Sequence, residues 1–256
     1  MRRDEQFTTG ERTQLEVSVG AGTIEAIAGS TGVVRVTIEA RDTDSFEVFQ
    51  IGDTVTIREE SRWRSRNRRV RVIVEAPTAF DLSAQAGSAD ISTRGRAGVV
   101  KLRPGSGDVE VDRADRVDAK TGSGTVRIDG VSGNASISAA SGDVSVRDAG
   151  GQLDASTASG DVSAAMVAGT VEIGTASGDV TVTRADGDTI AIKTLSGDIR
   201  LGLPTGIRVE PDISTMSGKV TLPTATSTSE PEAGTRRPVR IRLSSMSGDI
   251  RVERAP

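Results

Sequence analysis

The chain has 256 residues, enough for one large domain or two small ones, and its 36 acidic and 32 basic side chains leave a formal charge of −4. No overall field therefore calls for a nucleic-acid or membrane partner. Cysteine and histidine are both absent, which removes disulfides, thiol nucleophiles, imidazole bases and the ordinary zinc sites together. Aromatic residues are scarce at 2% and glycines plentiful at 29, so the core must be thin, built of Val, Ile, Leu and Ala and interrupted by many turns.

Arg2 and Arg3 give a basic start, but Asp4, Glu5 and Gln6 follow in place of an apolar run. No later stretch is long enough to cross a bilayer as a helix, so the sequence predicts a cytoplasmic protein with no signal peptide and no transmembrane segment. Strand patterning begins at 15–19 and continues at 33–39, 54–58 and 70–75. All four phenylalanines (Phe7, Phe46, Phe49, Phe80) and Trp63 fall within the first 80 residues. That stretch, 1–80, reads as a wider β cap closing one end of a narrower array.

Between the last two of these strands lies Ser61-Arg62-Trp63-Arg64-Ser65-Arg66-Asn67-Arg68-Arg69-Val70-Arg71, which reads as the tip of a hairpin. From 58 to 71 it carries seven arginines against Glu59 and Glu60, a local charge of +5. The guanidinium forks of Arg62, Arg64, Arg66, Arg68, Arg69 and Arg71 suit carboxylate or phosphate, and Trp63 offers a stacking face. An acidic protein surface, an anionic lipid surface and nucleic acid would all fit this chemistry, nucleic acid least well. The bland alternative is a solvated loop paired with acidic neighbours. Only four of the 32 basic residues are lysines, so arginine is simply the common cation of this chain.

From residue 81 to 256 the sequence repeats. Glycines stand at 124, 133, 142, 151, 160, 169, 178 and 187, nine residues apart. The second and fourth residues after each are mostly apolar, as in Val144 and Val146 or Val180 and Val182, which marks short strands with one buried face. Every second unit carries the fuller phrase Ser-Gly-Asp followed by a β-branched residue, so the working period is about 18, made of two unlike halves. The phrase recurs with Asp108, Asp143, Asp161, Asp179, Asp198 and Asp249, and in degenerate form at Thr125, Asn134 and Lys219. Glycine there takes a backbone conformation that other residues avoid, and the Ser and Asp side chains bond nearby amides. Stacked coils would set the aspartates in a row along one edge. Residues 223–238 read as an exposed loop inserted before a final strand pair at 239–243 and 249–253. Spacing alone permits either a parallel coil or an antiparallel meander, and the paired halves favour the coil.

Ser-Gly-Asp-Val or Ser-Gly-Asp-Ile, recurring about every 18 residues after a strand ending at Pro77, resembles the bacterial "putative adhesin" or toast-rack family of β-strand repeats. The resemblance covers roughly residues 5–254. It implies an all-β fold, a right-handed β-solenoid with coils of two nine-residue halves and an N-terminal β cap. It supplies no catalytic residues, and some relatives are linked to envelope-stress membrane systems.

These residues bear on three classes of function. Calcium β-rolls also repeat every nine residues, but they use a denser phrase with oxygen ligands in every turn; here aspartate returns only every 18, so it is read as a turn former and no metal or cofactor is expected. A sugar-cleaving enzyme would need converging carboxylates in an aromatic-lined groove. Asp112, Asp115, Asp118, Asp186 and Asp188 show no such grouping, and no aromatic follows Phe80, so no enzymatic activity is expected. There remains a non-catalytic scaffold or protein-interaction module. Its alternatives are a cytoplasmic regulatory partner of an envelope-stress or transcriptional system, and a self-assembling or adhesin-like structural protein. The oligomeric state is open, although charges alternating with β-branched residues at 249–253 argue against free growth from that end.

Overall fold

Alternation of buried and exposed side chains runs along nearly every strand of the computed structural model, which describes residues 1–10, 12–29, 32–60, 70–77, 80–223 and 238–255. Every regular element among them is a strand. The 61–69 part of the arginine-rich segment lies outside the described residues, so Arg62, Trp63, Arg64, Arg66, Arg68 and Arg69 do too; most of the 223–238 insertion also falls there. Among the described residues no helix is long and apolar enough to cross a membrane.

The chain divides into two compact units, 1–132 and 133–256. In the first, β1 (Arg2–Thr8), β2 (Thr13–Ala28), β3 (Val33–Glu39), β4 (Phe46–Ile51), β5 (Thr54–Glu59) and β6 (Arg71–Ala76) precede the long β7 (Phe80–Ser106), β8 (Val109–Ser123) and β9 (Val126–Val131). β2, β7, β8 and β9 stack in parallel, with Leu15 beside Leu82, Ile91 beside Val109, and Val109 beside Val126. The parallel stack thus begins at Thr13. On the other edge of β2 lie β5 and β6, also parallel to it, and these are extended by the antiparallel pairs β4–β5, β3–β6 and β1–β3. Phe46 and Phe80 are buried here.

The second unit is the regular array. Its coils are β10 (Ala135–Ser141) with β11 (Val144–Ala149), β12 (Leu153–Ser159) with β13 (Val162–Val167), β14 (Val171–Ser177) with β15 (Val180–Ala185), and β16 (Thr189–Ser196) with β17 (Ile199–Leu203). Two further coils follow in the chain: β18 (Val209–Ser217) with β19 (Val220–Thr221), and β20 (Val239–Ser247) with β21 (Ile250–Arg254). First strands pair only with first strands, in parallel and in register: Leu153 beside Val171, Val171 beside Ile190, Ile190 beside Ile241. Second strands do likewise, as with Val162, Val180, Ile199 and Ile250. The repeat is therefore a parallel coil, and the fold is an all-β solenoid. Each fully buried Val, Ile or Leu of these rows contributes about 1.5–3 kcal/mol relative to exposure, which is how a core almost without aromatics holds.

The last two coils are stacked out of sequence order. β20 lies between β16 and β18, and β21 between β17 and β19. The physical end rung of this unit is therefore 209–221, and the charge alternation at 249–253 lies inside the stack rather than at its edge. Contrary to the expectation from sequence, an alternation held between β17 and β19 does not guard the end of the stack.

Candidate functional site

The corners between first and second strands are where the repeat phrase sits. At each, a glycine takes a φ that L side chains rarely adopt, +139° at Gly160 and +152° at Gly178. A Cβ on Gly178 would also run into the Gly160 carbonyl of the preceding rung, so both conformation and space require glycine. Its N–H donates to the serine carbonyl of the following rung: Gly160 to Ser177 at 3.0 Å, Gly178 to Ser196 at 3.0 Å.

The aspartate beside it does not fold back onto its own turn. Its carboxylate oxygen instead accepts the main-chain N–H of the equivalent residue one rung on. Asp143 accepts from Asp161 at 2.9 Å, Asp161 from Asp179 at 2.8 Å, Asp179 from Asp198 at 2.8 Å and Asp198 from Asp249 at 2.8 Å. Asp249 then accepts from Lys219 at 2.8 Å, following the spatial order of the rungs and not the sequence. In the first unit Asp90 accepts from Asp108 and Asp108 from Thr125. A side-chain acceptor thus fills the point in the ladder where the corner carries the backbone carbonyl away.

Sequence reasoning missed a second column three residues before the glycine. Thr121, Thr157, Thr175, Thr194 and Ser245 are buried there. Thr157 donates to the Ser159 carbonyl at 3.2 Å and the Gly142 carbonyl at 3.4 Å; Thr194 donates to Gly178 and Ser245 to Gly197. The hydroxyl lets a polar side chain sit on the core side of the corner. The signal was present in the chain as Thr-x-Ser-Gly, but threonine at an inward place reads as a weak strand residue when only hydrophobic alternation is followed.

The x of that phrase is the position the corner leaves free. It is Ala140, Ala158 and Ala176 in successive rungs, then Leu195, Met246 and Met216 in spatial order, aligned by the flanking pairs Thr194 with Ser245 and Ser247 with Ser217. Leu195 is 56% exposed, Met246 53% and Met216 84%, which makes an apolar ridge on the last three rungs. At the other end of the same strands a groove of about 680 Å³ is bounded by Arg208, Arg240 and Arg242 with Glu210 and Asp212. Two of its arginines are ion-paired, Arg242 to Asp212 at 3.0 Å and Arg240 to Glu210 at 3.7 Å.

Of the candidate binding residues in the arginine-rich segment Arg71 alone is described, and it is ion-paired with Glu25, which also holds Arg94. Four of the five carboxylates considered for acid–base work are engaged separately, and the fifth, Asp188, is exposed. Asp112 accepts the Gly95 N–H at 2.9 Å, Asp115 pairs with Arg96, Asp118 with Arg103, and Asp186 with Arg184. Among the described residues no group of three or more acidic side chains is placed to hold a metal ion.

This parallel array of Ser-Gly-Asp corners defines a β-repeat protein of the solenoid class. The family model Toastrack DUF4097 matches residues 12–192 and again 169–253, and the chain belongs to that family. Among curated proteins none matches it. Solved structures similar to it include a "putative adhesin" from Bacteroides fragilis, 12% identical, with 99% of this chain and 97% of that one covered at a TM-score of 0.48. A "putative lipid binding protein" from Parabacteroides distasonis is 15% identical over 98% of this chain and 96% of that one, also at 0.48. A "putative adhesin" from the same species is 10% identical over 98% and 97%, at 0.41.

Proposed function

We propose that the chain is a non-catalytic scaffold that binds a protein partner along its exposed faces. The observation that supports this is the division of labour at the corner. Gly and Asp are engaged in stacking one rung on the next, Thr157 and Thr194 donate to the preceding rung's glycine carbonyl, and Asp112, Asp115, Asp118 and Asp186 hold a backbone amide or single arginines. The outward x position widens from alanine to leucine and methionine along the stack and so gives the last rungs a distinct apolar surface. Flexible thioether side chains adapt to a partner's contours at little cost.

Affinity capture from native lysate tests the reading, with the wild type beside a Leu195→Ser/Met246→Ser variant and a variant carrying Ser at Arg62, Arg64, Arg66, Arg68 and Arg69. A stoichiometric protein partner held by the wild type and lost from one of the two variants is the expected result and locates the surface. Equal recovery of the same proteins by all three, or none by any, would overturn it.

A further inference from the structure

Every rung of the second unit before the last in the stack is built to receive another. Its glycine N–H points at the next rung's serine carbonyl, its aspartate carboxylate waits for the next rung's N–H, and its first strand offers alternate amides to the next. A stack of such rungs has no internal reason to stop, and a free edge of parallel strand is a template for more of the same sequence. Among the described residues β18 pairs with β20 alone and β19 with β21 alone, so this edge is where the stack ends.

Two residues make the end rung a poor template. Val239 donates to the Arg208 carbonyl, and Val209 lies beside Val239 in the parallel register. Residues 208, 210 and 212 therefore turn their amides inward to β20, and 209, 211 and 213 turn theirs out. The outward place at 211 is a proline, which has no N–H to give. At the corner, Lys219 stands where the other rungs carry aspartate. Its own N–H completes the ladder by bonding to Asp249, but its side chain offers an ammonium where a further rung would bring another N–H.

The crossed order of the last two coils gives these substitutions their meaning. Stacked in sequence order, the edge would be β20 and β21, with the full phrase Ser247-Gly248-Asp249-Ile250, a free carboxylate and no proline. The chain instead buries that competent rung and sets the defective one outside it. We propose that the 209–221 rung is a built-in terminator, placed out of order so that Pro211 and Lys219 prevent a repeat rung from a second, incompletely folded copy of this chain from adding to the edge.

The test uses the full-length chain and a fluorescently labelled synthetic peptide of residues 171–185, a complete coil of the repeat. Folded wild type should show no saturable anisotropy change with the peptide and should refold from denaturant as a monomer at every concentration. Pro211→Val/Lys219→Asp should bind the peptide saturably and give concentration-dependent oligomers on refolding. Lys219→Asn in the Pro211→Val background restores an acceptor without a charge and should behave the same, whereas Lys219→Met in that background removes the charge without an acceptor and should stay inert. Circular dichroism confirms that each variant is folded, and all substitutions lie at exposed positions. Peptide binding by the wild type, a folded Asp variant that neither binds nor associates, or equal behaviour of the Asp and Met variants would overturn the proposal.

Discussion

The carboxylate of Asp198 accepts the main-chain N–H of Asp249 at 2.8 Å, although 51 residues separate them; Asp161 and Asp179, 18 apart, make the same bond at the same length. The bond belongs to the stacking of rungs and is indifferent to how the chain travels between them. It also explains how like charges tolerate a column at strand spacing, about 4.8 Å. Each carboxylate has an N–H aimed at one oxygen, and the row faces water, where repulsion is screened.

If the oxygen rather than the charge is what matters, Asp161→Asn will be nearly silent and Asp161→Ala will not. The chain already supplies the precedent, since Asn134 accepts the Gln152 N–H through its side-chain oxygen at 3.1 Å. Loss of the acceptor in the alanine variant should cost about 1 kcal/mol in chemical denaturation. Faster amide exchange at Asp179 alone would show the effect to be local to that bond. Equal losses in both variants would place the benefit in the charge.

Two glycines a few residues apart should respond in opposite ways to alanine. Gly178 has φ +152° and no room for a Cβ, so Gly178→Ala should cost about 2 kcal/mol or more in strain and displacement of the neighbouring rung. Gly174 lies within β14 with open space where its Cβ would be, and Gly174→Ala should be neutral or slightly stabilising. Thermal melts of the two variants decide it, and similar shifts would contradict the corner geometry.

The buried threonine column offers a sharper contrast. Thr157 donates to two carbonyls, while the Thr175 hydroxyl is buried without a partner. Valine matches threonine in shape, so Thr175→Val removes an unpaired polar group and should stabilise by about 1 kcal/mol. Thr157→Val removes a working hydrogen bond and should destabilise by a similar amount. A destabilised Thr175→Val would mean that its hydroxyl is satisfied in solution.

Nine-residue glycine spacing and alternation at Val144, Val146, Val180 and Val182 were enough to read an all-β coil from the chain, because both follow from backbone geometry that any stacked rung must obey. The paired halves favoured the parallel arrangement that the register of Val162, Val180 and Ile199 displays. The partner of each aspartate was not legible: a turn-forming Asp and a rung-bridging Asp look alike in sequence, and only the stacking distance tells them apart. The crossing of the last two coils was hidden for a related reason. Ser217-Gly218-Lys219 and Ser247-Gly248-Asp249 are near-equivalent phrases, so pattern alone assigns them to successive rungs in chain order. Only pairing energies, with Ile241 and Leu243 a better inner strand than Pro211 and Ile213, can reverse them.

Acid response should report on the first unit through Asp115. A hydrogen bond from Arg96, at 2.8 Å, and a further one from Ser132 hold its carboxyl below the ordinary value of 3.8. A carboxylate whose folded pKa lies below its unfolded one stabilises the fold above the unfolded value, and that contribution fades as the pH falls through the folded value. Both partners are more than half exposed, so the pair is worth no more than about 1 kcal/mol and is weakened by salt. Arg96→Met should therefore move the Asp115 titration, followed by carboxyl-detected NMR, upward towards 3.8, while leaving neutral-pH stability almost unchanged. An unmoved titration would assign the depression to the Ser132 hydroxyl and the Arg12 charge instead of the Arg96 guanidinium.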